Sequence, residues 1–129
     1  MKKLISLLSF LVILSSFVFA QVETVYPGGL KAGDMAPVFS GKDQNGKNIS
    51  LADLLQKGDV VILFYRGQWC PYCNKQLSHF SDSLQLLTAK GVSLLAITPE
   101  TAENVKKTVE KTKTSFPVIE DAGLAIMRS

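Results

Sequence analysis

Histidine and cysteine are too scarce in this chain to build a metal cage. His79 is the only histidine, and Cys70 and Cys73 are the only cysteines, in 129 residues. A structural zinc site draws four ligands. Asp82 offers a carboxylate nearby, but Cys70, Cys73, His79 and Asp82 would run along one helix and could not surround an ion. No cofactor is expected. Beyond residue 20 no apolar run is long enough to span a bilayer, and no internal repeat or low-complexity segment occurs. A strong excess of positive charge is missing too. The formal net charge is +3, but Lys2 and Lys3 lie in a leader, which leaves 12 basic against 11 acidic side chains and a net charge of +1. That balance gives no basic face for nucleic acid.

What is present begins with that leader. MKKLISLLSFLVILSSFVFA has two lysines, an uncharged apolar run from Leu4 to Phe19, and small residues Val18 and Ala20 before a cleavage point. Residues 1–20 therefore read as a secretory signal peptide. The alternative is an uncleaved anchor, for which the run is slightly short. The absence of a cysteine near the cut argues against a lipoprotein. The two lysines and short apolar core look bacterial, so the expected destination of residues 21–129 is periplasmic or secreted. In such an oxidising compartment a close cysteine pair can rest as a disulfide.

Along the exported part, Gln21 to Asp34 is a polar lead-in punctuated by Pro27-Gly28-Gly29, and Met35 to Phe39 is expected to form a short strand. Asn45-Gly46 within GKDQNGK signals a hairpin with a return strand from Asn48. Ser50 should cap a short helix through Leu51, Leu54 and Leu55, closed by Gly58. Val60 to Tyr65, VVILFY, is apolar without alternation, which predicts a central parallel strand covered on both faces. A helix should open over Trp69 to Cys73, with Pro71 in its first turn, where a missing N–H costs nothing. Cys73, Leu77, Phe80, Leu84 and Leu87 then form one helical stripe, ended by Gly91. Val92 to Ile97 reads as a second buried strand. A charged helix from Thr101 or Glu103 to about Lys113 follows, then a short apolar segment from Phe116 to Ile119 and a helical turn over Asp121 to Met127. Strand, helix and strand from 60 to 97 make a βαβ unit.

The cysteines fall where the first strand of that unit hands over to its helix, the usual place for sites in open α/β sheets. As a structural staple the pair would be weak, because closing so small a loop removes little unfolded-chain entropy. As a redox pair it has a direct mechanism. Cys70 stands at a helix N-terminus, where unpaired N–H groups and the helix dipole favour a thiolate. Cys73, one turn on, is placed to resolve a mixed disulfide. Trp69 and Tyr72 would shield the pair or face a partner. Arg66 suits a thiolate or substrate contact as well as an ordinary ion pair, and Lys75 and His79 read as solvated helix residues.

The string FYRGQWCPYCNKQL, with DQNGKNISLADLL before it and GVSLLAITPE and FPVIED after it, resembles the peroxiredoxin-like branch of the alkyl hydroperoxide reductase and thiol-specific antioxidant (AhpC/TSA) family. The likeness runs from about Gly33 to Ile126. It implies an α/β, three-layer α/β/α thioredoxin-like fold with a central mixed sheet over residues 21–129. It also implies reduction of hydrogen peroxide or organic hydroperoxides through a Cys70–Cys73 disulfide, with a thioredoxin-like protein as reductant. Typical members carry a threonine three positions before the attacking cysteine, and Cys70 stands there. On the peroxidase route Cys73 attacks and Cys70 resolves. On a thiol-disulfide exchange route the more exposed first cysteine, Cys70, attacks. A non-catalytic thioredoxin-fold remnant is the remaining reading. CPYC also resembles glutaredoxin, whose members lack the hairpin and LADLL prelude. Family members usually continue beyond FPVIED with a helix and two strands. The resemblance therefore implies a domain incomplete at its C-terminus, marginal in stability, with an open sheet edge that permits a homodimer.

Overall fold

Alternation along one strand organises the described part of the protein. The computed structural model describes residues 29–129; the expected signal peptide at 1–20 lies outside them. The chain divides into two units, Met1–Met35 and Ala36–Ser129. In the first, the described residues form an exposed turn in which the Lys31 N–H donates to the Asp34 carboxylate at 2.7 Å. All that follows concerns the second.

Two short strands, β1 (Ser40–Lys42) and β2 (Asn48–Ser50), pair antiparallel with Gly41 opposite Ile49. Asp43 shapes the loop between them, its carboxylate accepting from the N–H groups of Asn45 and Lys47 at 2.8 and 2.9 Å. Gly46 supplies the positive φ of 78° that the turn requires. The strand expected over Met35 to Phe39 instead starts at Ser40. Pro37 has no N–H to give a ladder, and the loop fixes the register so that pairing ends opposite Ser50. Ser50 caps helix α1 (Leu51–Leu55), its Oγ accepting from the Asp53 N–H.

Three parallel strands follow: β3 (Val60–Phe64), β4 (Ser93–Thr98) and β5 (Val118–Glu120), in the order β3-β4-β5. The central strand is therefore β4, not the expected β3. Among the described residues β3 pairs only with β4, so Val60 to Leu63 are half-buried and Phe64 is exposed. On β4 the side chains alternate between two cores, as period-two geometry demands. Leu94 and Ala96 face one core with Leu77, Val105, Phe116 and Val118. Leu95 and Ile97 face the other with Ile49 and Ile119.

The first core is covered by α2 (Pro71–Asp82), α3 (Leu84–Thr88) and α4 (Ala102–Thr112). The stripe from Cys73 to Leu87 does pack there, but it spans two helices rather than one. Ser83, at φ −97° and ψ 2°, breaks the helical path between them. Helix α4 ends at Lys113, which takes the left-handed conformation with φ 56°. The hairpin, α1 and the C-terminal segment cover the second core. The helical turn expected over Asp121 to Met127 is instead a run of tight turns, organised by the Asp121 carboxylate accepting from the N–H groups of Ile126 and Met127 at 3.1 and 2.9 Å.

These layers make a three-layer α/β/α, thioredoxin-like fold. Both strand senses occur, the three-stranded sheet being parallel and the hairpin antiparallel. No helix among the described residues is long and apolar enough to cross a membrane.

Candidate redox site

The site is built where β3 ends and α2 begins. Tyr65 extends the ladder, its N–H donating to the Ile97 carbonyl at 3.1 Å, and then Arg66 to Trp69 loop over to the helix. Gly67 has φ 153°, and a Cβ there would press on the Glu100 carboxylate and the Trp69 indole nitrogen, each at 2.7 Å. Only glycine fits that corner. The loop is pinned from the next strand connection: the Gln68 N–H donates to Glu100 Oε2 at 2.7 Å. On the helix side, buried Asn74 donates its Nδ2 to the Gln68 carbonyl at 2.9 Å.

Cys70 is the N-cap of α2, in extended conformation, and Pro71 takes the first helical position. The Cys70 Sγ accepts from the Cys73 N–H at 3.3 Å, as a capping side chain does. It also accepts from Arg66 Nη2 at 3.2 Å. Arg66 is thus on the sulfur rather than in an ion pair. Its guanidinium lies over the Trp69 ring at 5.2 Å from the centroid, a cation–π distance. Cys70 and Cys73 are joined as a disulfide, with their Cα atoms 5.3 Å apart.

The two cysteines differ in access, in the sense opposite to that expected for a thioredoxin-type exchange. Cys70 is 0% exposed, while Cys73 is half-buried at the margin of the first core. Capping turns the Cys70 side chain back over the helix end and under Arg66. Trp69 and Tyr72 are 63% and 81% exposed, flanking the pair with an apolar surface. Lys75 and His79 are exposed. With Tyr72, Phe80, Leu86 and Leu87 they line a shallow groove of about 520 Å³ on the outside of α2 and α3.

Beneath the loop, burial pushes the Tyr65 phenol above its ordinary pKa. The Glu100 carboxylate adds to that rise, while the Thr108 and Thr98 hydroxyls oppose it. Those hydroxyls face the phenol, but its oxygen makes no well-formed hydrogen bond among the described residues. No cluster of three or more metal-ligating side chains occurs among them. The roles of Glu100 and Asn74 were not readable in the sequence. The ITPE string draws attention to residue 100, but the contact to Gln68 spans 32 positions.

Comparison with known proteins agrees with this geometry. The family model described as "AhpC/TSA family" matches residues 32–129. Peroxiredoxin Bcp of Escherichia coli K12 is 35% identical over 92 residues, which cover 71% of this chain and 58% of that protein. The chloroplastic peroxiredoxin Q of Suaeda salsa is 33% identical over 107 residues, covering 77% of this chain and 50% of that protein. This chain thus spans under two thirds of the length of either relative. Among solved structures, peroxidoxin BcpB of Mycobacterium tuberculosis superposes with a TM-score of 0.72 at 28% identity, covering 77% of this chain and 64% of that one. With a matching family model over most of its length and a redox-capable disulfide at the strand-to-helix junction, the chain belongs to the AhpC/TSA family.

Proposed function

We propose that the protein is a thiol-dependent peroxidase that reduces hydrogen peroxide or organic hydroperoxides and is regenerated by a thioredoxin-like dithiol protein. The observation that carries this reading is the asymmetry of the pair: a half-buried Cys73 that keeps some surface, bonded to a sealed Cys70. A small peroxide needs one accessible thiolate and one nearby thiol that it does not reach itself. The Cys73 thiolate attacks the distal peroxide oxygen, the O–O bond breaks, and the alcohol or water leaves with a proton. Cys73 is then a sulfenic acid. The Cys70 thiolate attacks that sulfur and expels hydroxide, forming the 70–73 disulfide. Two electrons from the reductant's dithiol restore both thiols. Residues 1–20 support export, so this cycle would run in the periplasm or outside the cell.

Stopped-flow peroxide consumption tests the assignment. Cys73→Ser should abolish consumption, whereas Cys70→Ser should allow a single turnover that stops at the sulfenic acid. Insulin-disulfide reduction that depends on Cys70, with no peroxide turnover, would instead identify a thiol-disulfide oxidoreductase.

A further inference from the structure

Reduction of the 70–73 disulfide has a direction built into it. In thiol–disulfide exchange the incoming thiolate must reach one sulfur, and the other leaves carrying negative charge. Access and electrostatics therefore both have a say in which sulfur is struck. Here they agree. Cys70 is 0% exposed, so a protein thiol cannot approach it without opening the loop. Cys73 keeps some surface, beside the exposed Tyr72.

The leaving position is equally one-sided. The Cys70 sulfur receives an N–H from Arg66 at 3.2 Å and the Cys73 backbone N–H at 3.3 Å. It also stands at the N-terminus of a 12-residue helix, whose dipole favours an anion there. The guanidinium is itself held over the Trp69 ring, so it does not have to be recruited when charge develops. Cys73 sits one turn inside, at the edge of the apolar core.

We propose that the reductant attacks Cys73, not Cys70, and that Arg66 is a catalytic residue of the reductive half-reaction, stabilising Cys70 as the leaving thiolate. This rests on the redox turnover proposed above. The first thiolate of the reductant bonds to Cys73 Sγ as the S–S bond breaks, and the electron pair departs on Cys70 Sγ beside Arg66. The second reductant thiol loses its proton and attacks the reductant sulfur of the mixed disulfide. Cys73 leaves as a thiolate and takes up a proton. The reductant ends as a disulfide, two electrons poorer, and the chain as a thiol and a thiolate. This polarity is the reverse of an exchange in which the first cysteine of a CxxC pair is the one attacked.

A mapping experiment on the wild-type chain decides it. The oxidised protein is mixed with glutathione, a monothiol that carries no second thiol of its own to resolve the mixed disulfide, so this species can be caught at early times before a second glutathione reaches it. The products are trapped over a time course with N-ethylmaleimide and digested with trypsin. Cleavage after Arg66 and Lys75 yields GQWCPYCNK, and fragmentation before Pro71 separates the two cysteines. Glutathione on Cys73 with maleimide on Cys70 at the earliest times is the expected result. Glutathione on Cys70 with maleimide on Cys73 would overturn the proposal. In a second arm, the fluorescence of Trp69, the single tryptophan, follows the rate of reduction. Arg66→Met should slow it about 3- to 10-fold, as expected for a poorer leaving thiolate, and Arg66→Lys should recover much of the loss. An Arg66→Met rate equal to wild type would remove Arg66 from the mechanism. If mapping lands on Cys73 but no peroxide is consumed, the polarity stands and the peroxidase reading falls.

Discussion

Replacing Glu100 should loosen the loop that carries the cysteines, by an amount the hydrogen bonds allow us to rank. Its carboxylate accepts from the Gln68 N–H at 2.7 Å and lies 3.5 Å from the Asn104 amide nitrogen. The first bond is short and charge-assisted, and it joins the end of β4 to the loop between β3 and α2. Gln68 in turn accepts from Asn74 in the first turn of α2. Glu100→Ala removes the acceptor and leaves a half-buried N–H without it. A hydrogen bond to a charged group contributes roughly 1.5–3 kcal/mol, so a loss of about 2 kcal/mol is expected. Glu100→Gln keeps an oxygen in place and gives up only the charge, so its loss should be nearer 1 kcal/mol. Urea titration followed by Trp69 fluorescence reads both, and with a slope of about 1–2 kcal/mol/M for a small domain the alanine midpoint should fall by about 1 M or more. The distance between Arg66 and Cys70 should also become variable, slowing reduction of the disulfide in the alanine variant more than in the glutamine one. If glutamine costs as much as alanine, or alanine costs under about 0.5 kcal/mol, the carboxylate is not the peg described here.

Three further outcomes follow from the packing. Leu77→Ala empties a site that is 1% exposed in the first core; a loss of about 2–5 kcal/mol is expected in the same urea titration. Gln44→Ala removes a side chain that accepts from the Val118 N–H at 2.9 Å and donates to the Phe116 carbonyl at 3.3 Å. It should cost about 1–2 kcal/mol, and amide exchange at Val118 should quicken selectively. The raised pKa of the Tyr65 phenol, due first to burial, sets an alkaline limit. The folded chain keeps that proton where the unfolded chain has released it, so the stabilisation is complete below the unfolded value of about 10 and is lost as pH rises through the higher folded value. Tyr65→Phe should flatten that alkaline decline in thermal melts recorded at stepped pH, and an unchanged slope would assign it to other groups.

Local signals in the sequence were legible wherever one or two neighbouring residues decide the backbone. Ser50 caps α1, Asn45-Gly46 turns the hairpin, and Pro71 opens α2, each through a bond or a torsion made within a few positions. The limits of these readings are tertiary. VVILFY looks fully covered because its residues are all apolar, yet coverage of a strand depends on which neighbours the sheet supplies, and β3 has one among the described residues. The apolar stripe continues smoothly past Ser83 although the backbone does not, because the two helices still turn the same residues towards one core. Gln44 and Glu100 carried no local signal, since each acts on a backbone group 74 or 32 residues away.

The cysteine pair shows the same division on the scale of one residue. Spacing and position identify Cys70 as the residue at a helix N-terminus, and from that alone it reads as the reactive, outward-facing member. The cap itself reverses this. To accept the Cys73 N–H, the Cys70 side chain must fold back over the first turn, and the loop fixed by Glu100 brings Arg66 down onto it. The group best placed to carry negative charge thereby becomes the one that solvent cannot reach. Charge stabilisation and access, which coincide on one sulfur in an exposed nucleophile, are here divided between two. A pair divided in this way suits a cycle in which one sulfur meets every incoming partner and the other only accepts and releases the electron pair.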